Sequence, residues 1–136
     1  MRKRIDALPG HFIGSPSSMG AEATLAAWRH GQPWLDEVKA QLRVNRDHLA
    51  ARVESDLPGV TMHSPEATYL AWLDFTETAI AADPAATLLE RGRVGLHAGW
   101  KFCKSASSFT RLNFASSPKI LDEIIDRVAT TLQETP

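Results

Sequence analysis

The residues best placed to do chemistry lie in one alternating run, Phe109 to Ala115. Alternation puts Thr110, Leu112 and Phe114 on one face of a strand and Phe109, Arg111 and Asn113 on the other. A guanidinium on such a face presents a planar fork of donors that matches a carboxylate or a phosphate, and Asn113 projects the same way two residues on. Two readings stand open. Arg111 either faces water on the open side of an antiparallel sheet, or that side meets a cleft and Arg111 binds an anion there.

The other candidates are weaker. Cys103 lies beside Lys101 and Lys104, whose charges would favour a thiolate, but no base for it is identifiable and a lone thiol in a loop is the plainer reading. Asp74 closes an apolar strand and reads as a strand-end or turn residue. Trp28, Trp34, Trp72 and Trp100 read as packing residues. The histidines at 11, 30, 48, 63 and 97 are scattered, with no H-E-x-x-H and no short His-x-His pair, so no metal ligands are expected. No G-x-S-x-G elbow, Walker phosphate loop or G-x-G-x-x-G is present.

The elements that must position Arg111 follow from periodicity and breakers. Gly14 to Ser18 reads as a loop, and Met19 to Arg29 as a short helix closed by His30-Gly31. Pro33 suits the first turn of a second helix running to about Glu54. Along it Trp34, Leu35, Val38, Leu42, Leu49 and Val53 form the inner stripe, and Asp36, Lys39, Arg43, Arg46 and Asp47 the solvated side. After the Leu57-Pro58-Gly59 turn, Val60 to His63 and Tyr69 to Phe75 read as strands, the second covered on both faces. Asp83-Pro84 caps a short helix containing Leu88 and Leu89. Val94 to Leu96 reads as a strand and Ala98 to Ser108 as loop. Ser116-Ser117-Pro118 opens a final helix whose Ile120, Leu121, Ile124, Ile125, Val128 and Leu132 form one stripe. The order predicts an α+β layer, a small, mostly antiparallel sheet covered by helices.

At 136 residues the chain is the size of one domain, able to hide roughly two-thirds of its unfolded surface in one core. Its 15 basic and 16 acidic residues leave a net charge of −1, which argues against a nucleic-acid partner relying on a strongly positive field. No stretch approaches the ~20 apolar residues of a membrane span, and Asp6, Pro9, Gly10 and His11 interrupt the basic start before it resembles an export signal. One cysteine allows no internal disulfide, and a reducing cytoplasm fits that best.

Phe109-Thr110-Arg111-Leu112-Asn113-Phe114-Ala115-Ser116-Ser117-Pro118-Lys119-Ile120-Leu121 resembles the carboxy-terminal signature of fold-type I pyridoxal-phosphate enzymes, the class I/II aminotransferase superfamily. The resemblance is to the bacterial cystathionine β-lyase or cysteine-S-conjugate β-lyase branch, the MalY/PatB type. Pro65 to Asp74, Glu90 to Leu96, and Trp34-Leu35 followed by Asn45-Arg46 agree in order and spacing, so it covers about Ser17 to Leu132.

The resemblance implies that residues 1–32 are the tail of a missing large domain and that 33–136 are the inter-domain helix and small domain. It implies that Arg111 clamps the substrate α-carboxylate, that Asn113 supports the strand, and that the loop from His97 to Ser108 edges the active site. This chain has Ala98-Gly99 and Phe102-Cys103 where members usually carry Pro-Gly and Phe-Gly. Pyridoxal phosphate is implied in the parent enzyme. None is expected on this fragment, because Lys3, Lys39, Lys101, Lys104 and Lys119 lie outside the family's Ser-Lys context. The fragment is expected to be silent alone, and to form a homodimer or self-associate. Transamination is the neighbouring activity, and a free-standing, non-catalytic binding module is the reading from another class.

Overall fold

The computed structural model describes residues 17–135. The basic start and most of the Gly14–Ser18 loop lie outside the described residues. The chain falls into two compact units, Met1–Val38 and Lys39–Pro136. In the first, helix α1 spans Ser18–His30, and the Ser17 side chain accepts from the Gly20 N–H at 3.3 Å. None of its residues is buried, and Met19 and Trp28 are among the most exposed apolar side chains. Helix α2, Gln32–Asp56, begins in this unit and continues into the second.

The second unit holds four strands, β1 (Thr61–Met62), β2 (Leu70–Asp74), β3 (His97–Ala98) and β4 (Phe109–Asn113), in the order β1-β2-β4-β3 with every pair antiparallel. Helix α3 (Pro84–Glu90) precedes β3, a 3-10 turn (Gly99–Lys101) follows it, and helix α4 (Pro118–Gln133) ends the chain. Ala71, Leu73, Leu112 and Phe114 pack into one core with Leu49 and Val53 of α2 and with Leu121, Ile125 and Val128 of α4. The expected α+β architecture is the one observed. Asp83 and Ser117 cap their helices as read, accepting from Ala86 N–H at 3.0 Å and Ile120 N–H at 3.3 Å, each ahead of a proline that has no N–H in need of an acceptor.

Several expectations are corrected. The edge strand is His97–Ala98, not Val94–Leu96, because pairing with Arg111 and Thr110 begins only at His97 while the Val94 N–H is spent on Leu88 O. Residues 98–108 are accordingly not plain loop. Ile120 is 51% exposed, since Leu121, Ile125 and Val128 centre the α4 stripe and Ile120 falls at its flank in the first turn. Trp34 and Leu35 are exposed, and so are Trp28 and Trp100; only Trp72 of the four tryptophans is half-buried. The outer face of β2 is covered only in part.

The face of α2 toward α4 carries charge. Arg52 Nη1 donates to Asp122 at 2.9 Å, its Nη2 to Asp126 at 2.7 Å and its Nε to Asp56; His48 Nε2 donates to Asp122 at 2.6 Å. The His48 bond holds the Asp122 carboxyl below the usual range, and bonds from Ser55 and Arg52 do the same for Asp56. A depressed folded pKa adds stability above the unfolded carboxylate value near 4, and that stability is lost as pH falls through the folded value. Thermal unfolding followed from pH 6 to pH 3 should therefore show a falling midpoint, with a shallower fall in Asp122→Asn. Equal slopes would contradict the linkage.

Candidate functional site

The register fixes what surrounds Arg111. His97 of β3 and Trp72 of β2 are its direct cross-strand partners, so His97, Arg111 and Trp72 form one row on the face of the sheet away from the core. The row exists because Thr110 and Leu112, one residue to either side, point inward and are fully buried. Aromatic rings fill part of the outer face. Phe109 stacks on Trp72 with ring centroids 6.0 Å apart, and Phe102 meets Trp72 edge-on at 5.6 Å and 73°. Phe102 also covers Arg111, whose Cζ lies 4.3 Å from the ring centroid.

Arg111 is half-buried and makes no ion pair or hydrogen bond among the described residues; its Nε is buried without a partner. A buried donor left unpaired costs about 1–3 kcal/mol, so the side chain is held by its surroundings rather than by a counter-charge. Asn113 shares the face but is exposed, and its Oδ1 accepts from the Ala115 N–H at 2.9 Å. That bond turns the chain out of β4 toward α4. The 97–108 segment meets Arg111 through His97 in the sheet and Phe102 above it.

A concavity of about 260 Å³ lies between α2 and residues 65–69. Lys39, Arg43, Arg46, Glu66 and Tyr69 line it, and Arg111 does not. Arg46 there pairs with Asp47 at 2.7 Å. Asp74 is the turn residue read from sequence, accepting from the Thr76 N–H at 2.9 Å. Cys103 is exposed, and its bond with Ser105 Oγ at 3.0 Å lowers the thiol pKa.

Sequence reasoning missed two features. Asn45, on the inward stripe of α2, is buried, and its Nδ2 donates to Phe114 O at 2.9 Å and Ser116 O at 2.8 Å, tying the helix to the end of β4. An asparagine at i+3 from Leu42 and i−4 from Leu49 is the signal that could have exposed it. Phe102 over Arg111 had no local signal.

The described lysines, Lys39, Lys101, Lys104 and Lys119, are all exposed, and the His97–Arg111–Trp72 row contains neither a lysine nor a carboxylate. Among the described residues, this row offers pyridoxal phosphate neither an amine for a Schiff base nor an acid for its ring nitrogen.

No family model matches the chain. A Mycobacterium tuberculosis protein assigned as a cystathionine β-lyase is 38% identical over 93% of this chain and 35% of its own length. The cystathionine β-lyase of Corynebacterium glutamicum is 39% identical over 85% of this chain and 31% of its own length. The structure of a Corynebacterium diphtheriae protein assigned as a PLP-dependent β-cystathionase superposes with a TM-score of 0.88 at 32% identity, covering 98% of this chain and 36% of that one. The chain thus spans about a third of the length of the curated relatives it matches. By sequence and by fold it belongs with the carboxy-terminal domains of the fold-type I pyridoxal-phosphate enzymes, on the bacterial cystathionine β-lyase branch.

Proposed function

We propose that this chain is the substrate-carboxylate-binding domain of a pyridoxal-phosphate-dependent carbon–sulfur β-lyase acting on cystathionine or cysteine conjugates, inactive alone. The observation that carries the reading is the Arg111 guanidinium, at the centre of a three-strand row with no counter-ion among the described residues. When bound in the parent enzyme, pyridoxal phosphate supplies electron withdrawal from the substrate α-carbon. The work of this chain is to bind and orient: Arg111 takes the α-carboxylate, and Asn113 fixes the end of the strand that carries it. Carboxylate recognition of this kind serves transamination equally. The exposed side chains of α1 and the start of α2, Met19, Trp28 and Trp34, are the surface against which a large domain would pack, and through which the chain alone would self-associate.

The test is a chimera joining this chain to the remaining part of the Corynebacterium glutamicum relative, assayed for thiol release from cystathionine. Arg111→Lys keeps the charge but loses the planar fork, and kcat/KM should fall by about 100-fold, equivalent to one charge-assisted bond of roughly 1.5–3 kcal/mol. An active chimera whose kcat/KM survives Arg111→Lys would overturn the assignment.

A further inference from the structure

Phe102 is 51% exposed, yet its ring is engaged on three sides: 4.3 Å from Arg111 Cζ, edge-on to Trp72 at 5.6 Å, and at 63° to His97 with centroids 6.4 Å apart. An exposed phenylalanine gains little from burial at such a position, so the contacts themselves need a reason. The segment beneath it is fixed. Gly99 O accepts from the Phe102 and Cys103 N–H groups at 2.9 and 3.1 Å, and the Phe109 N–H donates to Ala106 O at 3.2 Å, which anchors both ends of the loop next to the sheet. Under the ring, Arg111 Nε is buried and unpartnered, whereas the two Nη groups have no partner among the described residues and are not enclosed.

We propose that Phe102 is a positioning residue for Arg111: its ring lies over the guanidinium, turns Nε inward and leaves the two Nη groups to receive a carboxylate end-on. The inference rests on the carboxylate reading of Arg111 given above. A ring over a guanidinium attracts it through the negative π face and also removes rotamers that point the fork elsewhere. Both effects lower the entropy lost when a carboxylate binds. Trp72 supports the ring from the side, and so the orientation of Arg111 is set jointly by β2 and by the turn after β3.

The test uses the whole 136-residue chain with sodium acetate as probe, reading the Arg111 Nε–Hε resonance and the acetate affinity by NMR. In the native chain the Arg111 side-chain protons should be shifted upfield by the Phe102 ring. Phe102→Leu should abolish that shift and weaken acetate binding by about fivefold, while Phe102→Tyr should retain both. A Phe102→Leu chain that keeps the native Arg111 shift and acetate affinity, while Arg111→Lys loses acetate binding, overturns the positioning role and leaves the clamp standing. Acetate binding unchanged in Arg111→Lys overturns the clamp and the inference with it, while the ring-current shift still reports whether Phe102 covers Arg111.

Discussion

Replacing Asn45 by alanine is expected to lower the unfolding free energy by about 2–4 kcal/mol. Asn45 Nδ2 donates to two backbone carbonyls, Phe114 O and Ser116 O, and Gln41 Nε2 donates to its Oδ1 at 2.8 Å. The residue is 2% exposed, so water cannot replace the amide without opening the packing between α2 and the end of β4. Truncation orphans both carbonyls and leaves a void beside Phe114. Asn45→Leu should cost nearly as much, because it fills the space but donates nothing. Urea denaturation checks this, with Val44→Ala on the exposed side of the same helix expected within about 0.5 kcal/mol of the parent. An Asn45→Ala midpoint equal to that control would contradict the account.

Gly99→Ala should be comparably damaging, for a steric reason. A Cβ at Gly99 would stand 2.2 Å from Ala106 O, 2.8 Å from Phe109 O and 2.9 Å from Phe109 Cβ. Two of these neighbours are backbone oxygens, and a flexible side chain cannot relieve the clash. The turn after β3 must move away from β4, breaking the Ala98–Thr110 pairing and lifting Phe102 from Arg111. Overpacking usually costs about 1–3 kcal/mol, and a clash against backbone belongs at the upper end. Thermal unfolding should register that loss, and the near-ultraviolet signal of Trp72 should change because its contact with Phe102 is lost. A folded Gly99→Ala chain with native stability would show that the loop is less tightly docked than described.

Much of the scaffold was legible in local sequence because local rules act on it. Strict alternation from Phe109 to Phe114 marked a strand with one apolar face, and its inward residues are the ones found buried. Asp83-Pro84 and Ser117-Pro118 marked helix starts because a side-chain acceptor followed by proline serves the unpaired donors of a first turn. What failed depends on contacts distant in sequence. The edge strand is set by where β4 offers partners, so the apolar Val94 to Leu96 misled. The exposure of Trp28 and Trp34 follows from what covers them, and nothing in the residues 17–38 buries them. Alternation placed Arg111 on the outer face of β4, but the ring above it comes from a turn nine residues earlier whose return path no local period encodes.

The central claim is that Arg111 receives a carboxylate. The most direct measurement is a titration of the 136-residue chain with L-alanine, resolving the arginine side-chain signals by NMR. Two charge-assisted bonds without other substrate contacts correspond to roughly millimolar affinity at best. The account predicts a saturable shift of the Arg111 signals in that range, with the largest backbone changes in β4 and in the 99–102 turn, and loss of the response in an otherwise folded Arg111→Lys chain. Saturation confined to Arg43 and Arg46 in the cleft beside Tyr69, with Arg111 silent, would contradict it.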